Sequence, residues 1–566
     1  MSRIRIRQNS VKGTLSTSVS SSDTTLTTSW MSSFPVVAAG QVAAVVLDST
    51  KSAGDIEIVH ITAHTAAAST ATIVRGQEGT TARAHTAGVT CLHGPTKFDL
   101  FDEPWLDARL YGLIPASGTD NTSVLQSCLA IAGVGGTWGF PLVNYDKPVP
   151  VRLPSGTIDF SGTLSVLKGS GLVSNGFGAT ILNDTRTSSL SKTLTVNTTN
   201  GSRSVTVTAG TQDLTNDLGM FVSGSGIGQR NYILTASSGS LTLAKAATAT
   251  ATGVTLTVYT HVSIRLDGSD AGANQVDFWT LDGFQVKAPN ATGRESKTGI
   301  LLRNAGNGRM GQVGVWDMGC GIKGVNLWDS AFRDLRFDYC GSRDGGTGTG
   351  SGWGALHLTA SAGDTTDTDA SVFEHATFEN CYEHDIVIAG YGRRVNKIAF
   401  TDRTKLETSR VRGHRVVIET ADDITFDSTC DMSIGGFDTS GPYATASDAF
   451  YVSDCLGFVN DGMMIEQKTG LATATVRHGT HYAGSNVGCS SRNLRFSNGG
   501  GNPTITGQPV AYTGTNTMID DEPWGYWTYD GSGSEPKPTT SPTSRPARPG
   551  RDLALIESST HLGSAL

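Results

Sequence analysis

From residue 111 onward the spacing of apolar positions changes period, and each change predicts a different element. Val124, Leu125, Cys128, Leu129 and Ala132 recur at helical spacing and give one apolar stripe. Asp120 or Asn121 can accept a bond from the free amides of a first helical turn, and Gly133 stops the helix. After Pro148 the pattern becomes short apolar pieces, 151–160, 162–167, 171–173 and 178–182, rich in Val, Ile, Leu and Thr and separated by Gly, Ser and Asn. Such pieces are too short for sandwich strands and predict the short sides of a winding solenoid.

Elsewhere the pattern divides the chain further. Residues 1–97 form a separate unit, with core strands expected in 34–47, 55–65 and 70–74. The capping helix and first coils occupy 98–192. Residues 193–259 alternate like exposed hairpin strands, which predicts an inserted β module. Over 260–500 aromatic-centred pieces recur at Phe337, Phe378, Phe400, Phe426 and Phe496. The gaps of 22 and 26 residues among Phe378, Phe400 and Phe426 each suit one solenoid coil. Residues 501–566 end the chain. Within them 531–550 are rich in Gly, Ser, Pro and Thr and read as a linker, and the terminal peptide is too poor in apolar residues to fold alone.

The entrance carries Tyr111-Gly112, Gly118-Thr119-Asp120-Asn121, a helix and Leu153-Pro154-Ser155-Gly156-Thr157. This order resembles the pectate-lyase-like family of right-handed parallel β-helices, in particular the entrance of bacteriophage tailspike proteins. It departs from the family at Leu110, where an acidic residue is usual, and in a longer turn after Tyr111-Gly112. The runs 57–65 and 71–81 resemble the head-proximal domain of phage tail proteins. The resemblance implies an all-β fold, a right-handed parallel β-helix with an N-terminal attachment domain. It also implies a homotrimer, a bacterial surface polysaccharide as ligand, and other tail or baseplate proteins as partners of residues 1–97. The chain would then act in the virion, at the host cell surface.

Composition changes this picture little. Charged residues make up only 17% and Gly numbers 69, which suits a turn-dense β architecture. A formal charge of −8 argues against a binder of nucleic-acid backbone. No apolar run reaches the length of a membrane span, and the first residues show no signal-peptide core, so neither membrane insertion nor signal-directed export is expected. Eight cysteines lack any C-x-x-C pair and are expected as small buried residues in the coils. No cofactor and no metal are expected. His60, His64, His85 and His93 can be assembled into a metal site only on paper, and Asp364, Asp367 and Asp369 lack the glycine and terminal glutamate of a helix–loop–helix calcium site.

Glycosidic cleavage usually takes two carboxyl groups flanking the bond. Aligning Phe378, Phe400 and Phe426 places Glu379, Asp402 and Asp427 in one stripe, with Glu383 and Glu407 extending it. Trp353, Tyr382, Tyr391 and Arg393 are candidates to stack on or bind sugars. Acidic residues are common at solenoid corners, where they are simply solvated or cap backbone amides, and these acids also read that way. The basic cluster Arg393, Arg394, Arg410, Arg412, His414 and Arg415 suits an acidic polysaccharide or pairing with adjacent carboxylates. The expected function is recognition and hydrolysis of a surface polysaccharide. The alternatives are β-elimination of a uronate-containing glycan, a non-catalytic adhesin and a structural tail protein.

Overall fold

The structure, a computed structural model, describes residues 4–5, 11–38, 41–48, 56–77, 80–94, 105–115, 118–133, 149–187, 190–214, 216–268, 275–288, 296–341, 353–360, 367–391, 393–408, 414–434, 448–467, 475–476, 478–492, 495–497, 504–505, 510–513 and 516–517. Most of the Gly-rich stretch 341–352, together with Asp364, Arg410, Arg412 and the tail from 518, lies outside the described residues.

Near the N-terminus seven strands of the described residues form one sheet, with Gln41–Leu47, Glu57–Ala63 and Ala71–Gln77 antiparallel at its centre. Alternation sends Val45, Leu47, Val59, Ile61 and Ile73 into a core with Trp30 and Phe34. Glu57 is buried there, yet fully bonded. It accepts from Arg75 Nε and Nη2 at 2.8 and 2.6 Å, from the amides of Gly76 and Arg83, and lies 3.0 Å from His85 Nε2. Burial opposes its charge, but these donors hold its carboxyl below the usual range. The histidines are likewise occupied: His64 bonds Pro35 and Ala68 carbonyls, and His93 the Ala44 carbonyl. Among the described residues no group of His, Cys, Asp or Glu is arranged to hold a metal ion.

The central region is a right-handed parallel β-helix of three sheets. One coil runs Ser371–Glu374 in sheet A, Thr377–Glu379 in sheet B and His384–Ala389 in sheet C, and re-enters sheet A at Val395–Thr401. Among the described residues sheets A and C each hold 11 strands and sheet B holds 10, all parallel. The helix Thr122–Ala132 covers the first coils with Leu125, Cys128, Leu129 and Ala132 buried. Its first amide is taken by Asp120 Oδ1 at 3.0 Å, while Asn121 turns instead to the Ile114 and Thr119 carbonyls.

Inward columns fill the core. In sheet A they are Met310, Phe332, Phe373, Phe400 and Phe426, whose neighbouring Phe rings stack 4.4–5.1 Å apart. In sheet B they are Val315, Phe337, Phe378 and Leu406. Phe378 therefore does not align with Phe400 and Phe426, contrary to the register read from the sequence. Both sheets carry Phe at the same place in the strand, so the spacing from one sheet to the next imitates a full coil. The corner between sheets A and B is a column of left-handed residues, Gln312, Asp334, His375 and Asp402, with φ of 48–54°. Short polar side chains tolerate that conformation better than branched ones. All eight cysteines are buried and unbridged.

The inserted module is a six-stranded antiparallel sheet running in sequence from Ser191–Thr198 to Ala251–Tyr259. Its two chain ends meet: the Thr260 amide donates to the Leu190 carbonyl at 2.9 Å, and His261 Nε2 lies 2.9 Å from Asp184 Oδ2. Val222, Leu256 and Val258 pack on Leu301 and Val325 of sheet C, and Phe221 stacks on Trp353 at 4.0 Å. The docking buries charge. Arg230 and Lys245 of the module donate to Glu419 Oε1 and Oε2 at 2.6 and 3.0 Å, and the Tyr391 hydroxyl reaches Oε2.

Lys323, 1% exposed, has no hydrogen-bond acceptor among the described residues; its ammonium lies 3.4 Å from the Phe221 ring and 4.7 Å from that of Tyr232. Burial pushes its pKa down to about 7. The folded chain thus binds fewer protons at Lys323 than the unfolded chain between about pH 7 and 10.5, so stability rises with pH across that window. Lys323→Met removes a desolvation cost of several kcal/mol and gives up a cation–π term of about 2 kcal/mol. The variant is expected to melt higher than wild type, most clearly below pH 7, with the difference shrinking towards pH 10.5. Equal melting temperatures across pH 6–10 would show that the ammonium is solvated.

Candidate active site

Sheet B presents two outward columns. One runs Lys287, Trp316, Asp338, Glu379, Glu407 and Ser433 in successive coils. The other places Arg336, Thr377 and Lys405 beside the acids. The local reason is the period-2 strand: Phe337, Phe378 and Leu406 point inward, so the next residue faces out. Tyr339 and Asn380 then turn the chain in the left-handed conformation, their amides bonded to the Glu379 and Glu407 carbonyls.

The three consecutive acids have different surroundings. Asp338 accepts from Trp316 Nε1 at 2.9 Å and from Asn380 Nδ2 at 3.2 Å. Burial, joined by the charge of Glu379, pushes its pKa up, against the two hydrogen bonds and the charge of Arg336. Glu379 receives Arg336 Nη2 at 2.5 Å, and Glu407 receives Lys405 Nζ at 2.9 Å. Both carboxylates keep about a quarter of their surface in solvent. One carboxyl whose pKa is raised thus stands beside two that are paired to cations, the kind of asymmetry that separates acid from base. Strand spacing puts adjacent coils about 4.8 Å apart, so Asp338 and Glu379 stand near the retaining separation and Asp338 and Glu407, ~9.6 Å apart, near the inverting one.

An aromatic platform adjoins the acids. The Trp316 and Phe177 rings lie 5.1 Å apart, with the Arg336 guanidinium 5.9 Å from each, and Phe177 is 37% exposed. Gly314 makes room for it: a Cβ there would come within 2.0 Å of the Trp316 ring and 2.4 Å of Phe177. Flat apolar rings beside hydrogen-bonding carboxyls suit the two chemical faces of a sugar.

The residues expected from sequence are dispersed. Glu379 and Glu407 are neighbours in the column, but Asp402 is an exposed left-handed corner between sheets A and B. Asp427 caps a turn, accepting from the Thr429 amide at 2.9 Å and its hydroxyl at 2.6 Å. Glu383 is buried at the corner entering sheet C, 1% exposed. Trp353 lies fully buried beneath the module against Phe221 and Tyr259, and Tyr382 is also buried, so neither ring offers a face to a ligand. Tyr391 belongs to the module junction, with Lys245 Nζ 4.7 Å from its ring. Arg393 pairs with Asp367 at 3.6 Å, Arg394 with Asp422 and Arg415 with Asp385, so the described basic residues meet carboxylates. Asp338, Trp316, Phe177 and Arg336 went unnoticed in the sequence. The signal was present in the triplets Arg336-Phe337-Asp338, Thr377-Phe378-Glu379 and Lys405-Leu406-Glu407.

No protein-family model matches the chain, and no curated protein matches it. Several solved structures do. ORF18 of Geobacillus virus E2 aligns with 79% of this chain and 68% of its own at 12% identity and a TM-score of 0.46. The mannuronan C-5 epimerase AlgE6 A-module of Azotobacter vinelandii aligns with 73% of this chain and 99% of its own, at 10% identity and a TM-score of 0.34. Tailspike protein 2 of an Escherichia coli O157:H7 bacteriophage aligns with 77% of this chain and 43% of its own, at 10% identity and a TM-score of 0.34. The chain is a right-handed parallel β-helix protein, and its sheet B carries a column of three acids beside an aromatic platform.

Proposed function

We propose that this chain recognises a bacterial surface polysaccharide and hydrolyses its glycosidic bonds on sheet B. The observation that carries the reading is the Asp338–Glu379–Glu407 column, in which burial and a neighbouring charge raise the pKa of Asp338 while Arg336 and Lys405 hold the other two acids. Asp338 gives a proton to the leaving oxygen. Glu379 attacks the anomeric carbon, or Glu407 draws a proton from the attacking water. The Trp316–Phe177 platform holds a sugar ring beside them. In this proposal residues 1–97 attach the chain to other tail or baseplate proteins, and the chain works as a homotrimer in a phage tail at the host surface. Tailspike proteins among the similar structures support that setting. Among the described residues no helix is long and apolar enough to cross a membrane.

A second reading, β-elimination, draws on the module junction. There burial and the charge of Arg230 bring Lys245 down to about 8 against the pull of Glu419, with Tyr391 alongside. One assay separates the readings. Purified protein is incubated with capsular or cell-wall polysaccharide of a susceptible host, and reducing ends and unsaturated-uronate absorbance are followed together. Reducing ends without absorbance are expected. Both signals together would establish the lyase, and binding with neither would leave an adhesin.

A further inference from the structure

A second constellation lies on the outward face of sheet C, at the far end of the solenoid from the capping helix. The strands Thr480–Ala483 and Val510–Thr513 pair in parallel, His481 opposite Ala511 and Ala483 opposite Thr513. His481 and Thr513 are therefore diagonal neighbours on one face. His481 Nε2 lies 2.8 Å from Thr513 Oγ1, and His481 Nδ1 lies 3.0 Å from Asp448 Oδ2. Asp448 is buried, the His481 side chain is 10% exposed, and Thr513 is open to solvent.

The donor directions follow from chemistry. An ionised carboxylate only accepts, so His481 Nδ1 carries the hydrogen that faces Asp448. In the neutral ring this leaves Nε2 with a lone pair, and the Thr513 hydroxyl donates to it. His414 Nδ1 lies 3.3 Å from the same Asp448 Oδ2, but it accepts the backbone amide of Asp448 at 2.9 Å, so as a neutral ring it has no Nδ1 hydrogen to give that carboxylate. Tyr451 packs edge-on to His481 with centroids 5.4 Å apart and fixes the ring plane. A hydroxyl, a base within hydrogen-bond reach and a carboxylate that sets the base's tautomer are the three parts of an activated oxygen nucleophile.

We propose that Thr513, His481 and Asp448 form an acyl-transfer site that removes ester-linked acyl groups from sugar hydroxyls. The acylated sugar as substrate rests on the glycan function proposed above; the ester chemistry does not. Thr513 Oγ1 attacks the acyl carbon as His481 Nε2 takes its proton. The bond from the acyl carbon to the sugar oxygen breaks, and that oxygen receives the proton from His481. Water then repeats the sequence on the acyl-threonine, releasing a carboxylic acid and restoring the hydroxyl.

The test uses the full chain with p-nitrophenyl acetate, and then with O-acetylated host polysaccharide. The expected result is nitrophenol release that falls about 10²-fold or more in Thr513→Val and in His481→Gln, while Thr513→Ser stays active. Acid quenching is expected to trap an acetyl group on the peptide containing Thr513. Circular dichroism and melting temperature identify variants that fail to fold, and the trapping result does not depend on them. No release above buffer, or a well-folded Thr513→Val with the wild-type rate, would overturn the site. Release from the small ester with no acetate from the polysaccharide would overturn only the acylated sugar. Chain cleavage on sheet B is read separately, from reducing ends.

Discussion

Asp338→Asn is expected to lower cleavage of the polysaccharide about 10²–10⁴-fold, the usual contribution of a positioned general acid. The substitution keeps the size of the side chain and an oxygen for the Trp316 indole, so the platform should stand and glycan affinity should change little. What disappears is the proton that burial and Glu379 keep on Asp338 above the ordinary carboxyl range. Two measurements make the effect specific. An activated aryl leaving group on the same glycan needs no protonation, so the variant should recover most of its rate on that substrate. In the wild type, the alkaline limb of the pH profile should lie above that of an unperturbed aspartate, because the acid form persists to higher pH. Product stereochemistry then assigns the second carboxylate. Retention selects Glu379 and makes Glu407→Gln nearly silent, and inversion selects Glu407. Full cleavage by Asp338→Asn would remove sheet B from consideration.

Breaking the ion pair of Arg415 should give the largest loss of stability. Arg415 and Asp385 are at most 1% exposed, and Nε meets Oδ2 at 2.5 Å. The same guanidinium closes the corner between sheets B and C, donating to the Ser433 and Leu406 carbonyls at 2.7 and 2.6 Å. Arg415→Met leaves a buried carboxylate and two carbonyls without this donor, at a cost of about 3–5 kcal/mol. The buried pair itself contributes less than that figure, since forming it required removing two charges from water. Asp385→Leu combined with Arg415→Met should therefore recover a substantial part of the loss. Urea unfolding of the two variants checks this. A neutral Arg415→Met would mean that water reaches the corner.

The contrast between these sites explains what could be read in advance. The entrance was legible because turn and capping chemistry is local: Asp120 takes the first helical amide, and Gly156 has a φ of 113° that a side chain rarely adopts. The solenoid was legible from its short β-rich pieces. Its register was not. Phe373 lies five residues before Phe378, and either one could be taken as the partner of Phe400; only pairing across the sheet decides. That choice moved Glu379 away from Asp338 and beside Asp402. Trp353 misled for a different reason: its exposure depends on a module inserted far earlier in the chain, whose Phe221 and Tyr259 cover it.

The meeting of Leu190 with Thr260, and of Asp184 with His261, has a consequence for how such a chain changes over generations. The coils on either side do not sense how much polypeptide lies between these points, since the gap to be bridged is one hydrogen bond wide. A shorter loop or an unrelated domain could be grafted there without altering the rise of the solenoid, and a loop too small to cover sheet C would leave Lys323 hydrated and its burial cost absent. The position is a natural exchange point, where a new surface can be acquired while the acids on sheet B stay in place.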